Sequence, residues 1–150
     1  MTTTEKLQLL AADLTREFPR SPRVVLGGFV IAARCLDKCR AVVAGTAGEY
    51  HSGCPLDLML LDFAGIPYDD FKAFVATGAT DAEAGAWLAK TAKPSRLEII
   101  RWNNKMRDLR LSELPDQLQE YMEEYIPQNV PRNRPVYHFF DVYDLEEERL

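Results

Sequence analysis

The residues best suited to chemistry lie close together in the stretch EYHSGCPLD, residues 49–57. Cys54 directly precedes Pro55, and proline suits the first turn of a helix, so Cys54 is expected to be a helix N-cap. A thiol at a helix N-terminus is stabilised as the nucleophilic thiolate. His51 lies three residues upstream and is a candidate base, whereas Asp57 disfavours a second negative charge nearby. Cys54 is therefore the candidate nucleophile.

Three neighbours of that thiol are the candidates for moving protons: Glu49, Tyr50 and His51. A plainer interpretation is also open, in which Cys54 is a partly buried helix cap and His51 is simply exposed. Metal binding is a weaker alternative, because H-x-x-C is not a standard ligand spacing and the chain offers no second Cys or His pair for it. We therefore expect no metal and no cofactor.

The segment FVIAARCLDKCRAVVA, residues 29–44, predicts a central helix with Gly45 as its C-cap. Almost every residue in it is apolar, and Cys35 and Cys39 are interpreted as core residues. Residues three and four apart share a helix face, so Arg34, Asp37 and Lys38 form one polar strip. Unpaired buried charge costs several kcal/mol, so this strip needs partners or a solvent-filled cleft.

The charged strip allows two interpretations. In one, Arg23, Arg34 and Lys38 bind a carboxylate or phosphate of a small anionic molecule, with Asp37 and Asp57 lining the same site. In the other, five basic residues form an internal ion-pair network with four acidic residues: Arg20, Arg23, Arg34, Lys38 and Arg40 with Asp37, Glu49, Asp57 and Asp62. Clefts often combine such networks with a ligand site, so both interpretations stay open.

Helix caps followed by apolar stripes predict further helices, as at the capping boxes Thr80–Glu83 and Ser95–Glu98. Pro127 is expected to end the last of them. Beyond it, QNVPRNRP and the β-prone VYHFFDVYDL predict an extended arm, and EEERL predicts a solvated acidic tail. We predict a single all-α or nearly all-α domain over residues 1–150, with six or seven helices in a core at 1–126 and the extended arm and tail at 127–150.

Composition narrows the choice of partners. The formal net charge of −5 argues against a general duplex-binding protein, whose affinity rests on basic side chains, so no nucleic-acid partner is expected. No apolar run reaches the roughly 20 residues of a membrane helix, so no membrane partner is expected either. Three cysteines without a recognisable signal peptide predict reduced thiols and a cytoplasmic protein.

Several short blocks carry a resemblance to a known family: SPR at 21–23, LGG at 26–28, R-x-x-DK-x-RA at 34–41, GTAGEY at 45–50 and CPLD at 54–57. With these blocks in register, the chain resembles the bacterial domain of unknown function 5069. The likeness continues more weakly through FVATGATDAEAGAWL and the RWN around Trp102. The resemblance implies a compact, mostly helical domain, and it implies no particular activity.

Two functions remain. The first is a small-molecule site, which could be enzymatic, where the GEYHSGCPLD loop meets the central helix. The second is a non-catalytic interaction domain whose charged cluster is structural. In that case the aromatic C-terminal arm would dock on a partner or on a second copy, forming a homo-oligomer.

Overall fold

The computed structural model describes all residues, Met1–Leu150, as helices joined by loops. Extended backbone pairs only at two isolated bridges, Leu26–Phe29 and Arg110–His138. A single 3-10 turn at Leu111–Glu113 separates the sixth and seventh of eight α-helices, which are α1 Thr3–Leu10, α2 Ala32–Ala44, α3 Pro55–Ala64, α4 Tyr68–Val75, α5 Asp81–Thr91, α6 Arg96–Arg107, α7 Asp116–Asn129 and α8 Phe139–Glu146. The all-α prediction is confirmed, with more helices than expected. None of them combines the length and the apolar composition that crossing a bilayer requires.

The chain divides into two compact units, Met1–Ile100 and Arg101–Leu150, and the division falls inside α6. The first unit holds α1 to α5 together with every residue of the predicted site. The second unit holds α7 and α8. The sequence-based prediction of one domain stays a prediction.

The predicted extended arm is wrong for much of its length. Helix α7 continues through Pro127 to Asn129, since a proline this close to a helix end removes only one hydrogen-bond donor. Helix α8 then occupies Phe139–Glu146, and all but its last residue lies in the stretch predicted to be β-prone. Phe139, Val142 and Leu145 recur every third residue and are all buried, so burial of one helix face outweighs β-propensity here.

The end of the chain also differs from the predicted solvated tail. Glu147 is buried, and its carboxylate accepts a hydrogen bond of 2.7 Å from Arg149. Arg149 also donates to the buried Asp144 at 3.2 Å. Within EEERL only residues 148–150 are exposed. The acidic composition of this segment therefore does not mean that all of it is solvated.

Helix α2 is the central element of the first unit. Nine of its thirteen residues are buried, and it packs against α1, α3 and α4. Gly45 ends it in the left-handed conformation, as predicted. The charged residues of α2 are consequently shielded from water. They need oppositely charged or hydrogen-bonding partners, because an unpaired buried charge would destabilise a central helix.

The turn that leads into α2 is strained. Ile31, fully buried, has φ 72° and ψ −30°, which a β-branched side chain adopts only at a cost. Two backbone hydrogen bonds hold it there: its N–H donates to Pro22 at 2.7 Å, and its carbonyl accepts from Cys35 at 2.9 Å. The turn fixes the angle at which α2 enters the core.

The LGG block has a direct structural reason. Gly27 has φ 61°, and a Cβ at this position would lie 2.7 Å from the backbone oxygen of Gly85 in α5. Any side chain at residue 27 would therefore push α5 away from the segment that precedes α2. This close approach packs α5 against the segment before α2, and Asp81, the first residue of α5, accepts a hydrogen bond from Arg40 of α2.

Candidate functional site

Cys54 occupies the position that the sequence predicts, at the N-cap of α3 with Pro55 as the first helical residue. Its side chain makes no capping hydrogen bond. Instead, Asp57 in the first turn accepts a hydrogen bond of 3.0 Å from the backbone N–H of Gly53 and so fixes the loop against the helix. The thiol is left free to turn towards α2, and it is only partly buried.

Lys38 of α2 meets that thiol. Its Nζ donates to Cys54 Sγ at 3.0 Å and lies 3.1 Å from Asp57 Oδ1, the latter as an ion pair rather than an aligned hydrogen bond. Lys38 is 3% exposed and Asp57 is fully buried. We call these three residues the lysine–thiol cluster. One buried cation thus serves both a buried carboxylate and a thiol that solvent can reach.

The electrostatics of the cluster favour a charged lysine. Burial lowers the pKa of Lys38, but the carboxylate of Asp57 and the contact with Cys54 raise it by more, so the pKa lies above its ordinary value. A charged lysine stabilises the thiolate form of a neighbouring cysteine relative to the thiol form. Lys38 is therefore an electrostatic partner of the thiol and not a base.

The other two cysteines are different from Cys54. Both are fully buried, and burial is the largest effect that raises the pKa of Cys35 and of Cys39. Thiols in such surroundings are inert. The prediction that Cys35 and Cys39 are core residues is confirmed.

A second polar group lies next to the cluster, on the loop before α3. Tyr68 of α4 donates its phenolic hydrogen to Ser52 Oγ at 2.7 Å. Burial raises the pKa of Tyr68, so the hydroxyl stays protonated near neutral pH. No sequence signal indicates this pair, because 16 positions separate the two residues and no local spacing connects them.

Two further charged residues of α2, Asp37 and Arg40, belong to a separate group, which we call the arginine network: Arg20, Asp37, Arg40 and Asp81. Arg20 grips Asp37 with its backbone N–H, its Nε and its Nη2, at 2.9, 3.0 and 2.9 Å. Its Nη1 donates to Asp81 at 2.8 Å, and Arg40 donates to the other oxygen of Asp81 at 2.9 Å. The carboxylate of Asp37 is thus bound by Arg20, although the sequence predicted that Asp37 lines the ligand site.

Arg34 and Tyr50 lie against each other, with the guanidinium carbon 5.7 Å from the centre of the ring. Arg34 is 2% exposed and also donates to the backbone oxygen of Arg20 at 3.3 Å. Arg23 is half-buried on the segment before α2. The structure therefore places Arg34 beside one predicted loop residue, at the boundary of the arginine network.

Glu49 and His51 are exposed on the loop, and no hydrogen bond or ion pair joins either of them to Cys54. Asp62 is also exposed, so of the four acids proposed for an internal network, Asp37 and Asp57 are the two held by cations. No group of three or more His, Cys, Asp or Glu side chains in the structure could hold a metal ion.

The structure therefore defines an all-α protein with two charged groups built around one buried helix, one of which contains an accessible thiol. Its sequence matches the model of the domain of unknown function DUF5069 over residues 16–149. The chain belongs to this family, as the blocks between residues 21 and 57 indicate. No curated protein matches the chain.

Proposed function

We propose that the protein binds a small electrophilic molecule that carries an anionic group, and that Cys54 attacks it as a nucleophile. The observation that carries this proposal is the 3.0 Å contact between Lys38 Nζ and the sulfur of a partly exposed thiol. A lysine ammonium and a helix N-terminus both stabilise a thiolate. The charge of Asp57 opposes the thiolate, but Lys38 and the Gly53 amide already balance part of it.

The roles of the other residues follow from their exposure. An anionic group would lie at the start of α3, where the positive end of the helix and Lys38 both attract it. Arg34 would act through Tyr50, whose ring it covers, by holding the loop in place. Glu49 and His51, on the solvent side of the loop, would exchange protons with the substrate as it enters. Arg23 remains a candidate contact for the anion.

The proposal is tested by the rate at which iodoacetamide alkylates Cys54 in the native chain at neutral pH. We expect a rate about tenfold above that of a free model thiol, because a paired thiolate reacts faster than a thiol at this pH. Cys54→Ser should lose this labelling, and Cys39→Ser should keep it. If the rate follows that of the model thiol across the pH range, Cys54 is a structural residue and the proposal fails.

A screen for ligands completes this test. Anionic electrophiles would be added to the native chain and to Cys54→Ala, with the thermal midpoint and the intact mass as measurements. A covalent adduct on the native chain, absent from Cys54→Ala, would identify the substrate class. Adducts that appear equally on Cys54→Ala would contradict a role for this thiol.

The second candidate function is a non-catalytic interaction domain, and the arginine network favours it. Arg20 and Arg40 donate their hydrogen bonds to Asp37, Asp81 and the Ala79 carbonyl, as expected of side chains in a purely structural network. The aromatic residues proposed as a docking arm are in part buried within the chain, at Phe139 and Phe140. The mass in solution tests the second function, because a monomeric mass would contradict a homo-oligomer. The reactivity of the thiol tests the first, because a thiol without reactivity would contradict a nucleophile.

A further inference from the structure

The pairing of Lys38 with Cys54 suggests a second chemistry for the same thiol. We propose that hydroperoxides convert this pair into a reversible covalent cross-link, in which one oxygen atom joins the lysine nitrogen to the cysteine sulfur. The inference rests on the accessible thiol of the proposed function, but it requires no substrate other than the oxidant. It assigns to the lysine–thiol cluster a means of switching the nucleophile off.

The distance between the two atoms selects this product. Two single bonds of about 1.5 Å each, meeting at an ordinary bond angle, span about 2.6 Å. Nζ and Sγ are 3.0 Å apart, so a bridging oxygen requires them to approach by only a few tenths of an ångström. A direct nitrogen–sulfur bond would require a movement of more than one ångström, which a close-packed core resists.

The surroundings of the pair determine which atom reacts first. Cys54 is partly exposed, whereas Lys38 is 3% exposed, so an oxidant from solvent meets the sulfur before the nitrogen. The same Nζ lies 3.1 Å from Asp57 Oδ1, and this ion pair keeps it beside the sulfur. The nearby Cys35 and Cys39 are fully buried and do not compete for the oxidant.

The reaction balances with two molecules of hydroperoxide. In the first step the sulfur of Cys54 attacks one peroxide oxygen, the O–O bond breaks, and the products are a sulfenic acid and water. In the second step Lys38 reacts from its neutral amine form, after its extra proton has passed to water. The nitrogen attacks another peroxide, the O–O bond breaks, and the products are a hydroxylamine and water. The hydroxylamine oxygen then bonds to the sulfenic sulfur, and the sulfenic hydroxyl leaves as water.

The net change is that thiol, amine and two peroxides give the bridge and three waters. The protein gains one oxygen and loses two hydrogens, with the peroxides as the oxidants. A thiol reductant reverses the link by attacking the sulfur, which releases the hydroxylamine. A second attack by thiol on the resulting mixed disulfide restores Cys54.

The test is the intact mass of the full chain after treatment with hydrogen peroxide, followed by digestion with trypsin. We expect a gain of about 14 Da that dithiothreitol converts to about 16 Da, because the released hydroxylamine keeps its oxygen, whereas a sulfenic acid alone would add about 16 Da that dithiothreitol removes. Trypsin does not cleave after a modified lysine, so residues 35–40 should remain one peptide, joined to residues 41–72, which contain Cys54. Cys39→Ser should form the link as the native chain does, and Cys54→Ser should not.

Other outcomes overturn the inference. A loss of about 2 Da would indicate a disulfide or a direct sulfur–nitrogen bond, and a gain of about 32 Da would indicate a sulfinic acid. An unchanged mass, or a sulfenic acid that reacts with dimedone while residues 35–38 are cleaved normally, would also contradict it. Rapid alkylation by iodoacetamide without formation of the cross-link would contradict only this inference and would still support the proposed function.

Discussion

The arginine network and the lysine–thiol cluster both depend on charged residues of the same buried helix, yet they use charge in different ways. In the arginine network, two guanidinium groups and two carboxylates form several short hydrogen bonds that join α2, α5 and the segment before α2. In the lysine–thiol cluster, one ammonium group is divided between a carboxylate and a thiol. The first arrangement locks elements together, and the second leaves a reactive atom in contact with a cation.

The physical reason for the difference is the shape of the cation. Arginine presents a planar fork that matches a carboxylate with two parallel hydrogen bonds, so it suits a rigid joint. Lysine carries a compact charge with no preferred plane, so it can serve two dissimilar partners at once. The two groups should therefore differ in their contributions to stability, in their pH dependence and in their reactivity.

The largest effect is expected from Lys38→Met. It leaves the carboxylate of Asp57, fully buried, without a cation and should lower the free energy of unfolding by about 3–5 kcal/mol, as measured by urea denaturation. The double variant Lys38→Met with Asp57→Asn should recover most of the loss, because no buried charge then remains in the lysine–thiol cluster. A single variant as stable as the native chain would mean that the ion pair does not form.

A smaller loss, about 1–3 kcal/mol, is expected from Arg20→Ala, which removes the shared partner of Asp37 and Asp81. Arg20→Lys should not restore stability, since one ammonium cannot reproduce the fork. Arg16→Ala is the matched control, because the 3.6 Å pair of Arg16 with Asp13 is exposed and should make no measurable contribution to stability. Equal losses in the free energy of unfolding for Arg20→Ala and Arg16→Ala would contradict a structural role of the network.

The two groups should fail at opposite ends of the pH scale. Burial raises the pKa of Asp81, but Arg20 and Arg40 lower it by more, so the folded value lies below the ordinary one. Its contribution to stability is complete above the unfolded pKa of about 3.9 and disappears as pH falls through the folded value. Lys38 has a raised pKa, so its contribution is complete below about 10.4 and disappears as pH rises through the folded value.

Urea denaturation across pH measures both effects. Asp81→Asn should flatten the acidic side, by less than about 1 kcal/mol because the Asp81 side chain is 48% exposed. The double variant that lacks both Lys38 and Asp57 charges should flatten the alkaline side. A profile in which Asp81→Asn alters the alkaline limb instead would show that the two groups are not independent.

The smallest change in stability is expected from Cys54→Ser, within about 0.5 kcal/mol, because the site is partly exposed and a hydroxyl can still accept from Lys38. Cys39→Ser should cost about 1–3 kcal/mol, since it places a hydroxyl in the core. Thermal or urea unfolding compares them directly. If the order is reversed, Cys54 is the structural thiol and the contrast between the cysteines is wrong.

Much of the framework around the candidate site could be predicted from local sequence. Pro55 after Cys54 indicates a helix start, Gly45 indicates a helix end, and the apolar run before it indicates a central helix; the structure contains all three features. The C-terminal stretch could not be predicted in the same way. Its aromatic residues suit both a strand and a helix, and the burial of Phe139, Val142 and Leu145 on one face decides between them.

By itself, then, the sequence determined which residues carry charge on α2, where the thiol lies on α3, and to which family the chain belongs. Only the tertiary structure decided their partners. Arg20 meets Asp81 across 61 residues of chain, and Lys38 meets Cys54 across 16. Helical spacing fixes the face on which a side chain lies, but packing of separate helices fixes what it touches. For that reason Asp37 joined the arginine network, while Lys38, one residue further along, reached the thiol.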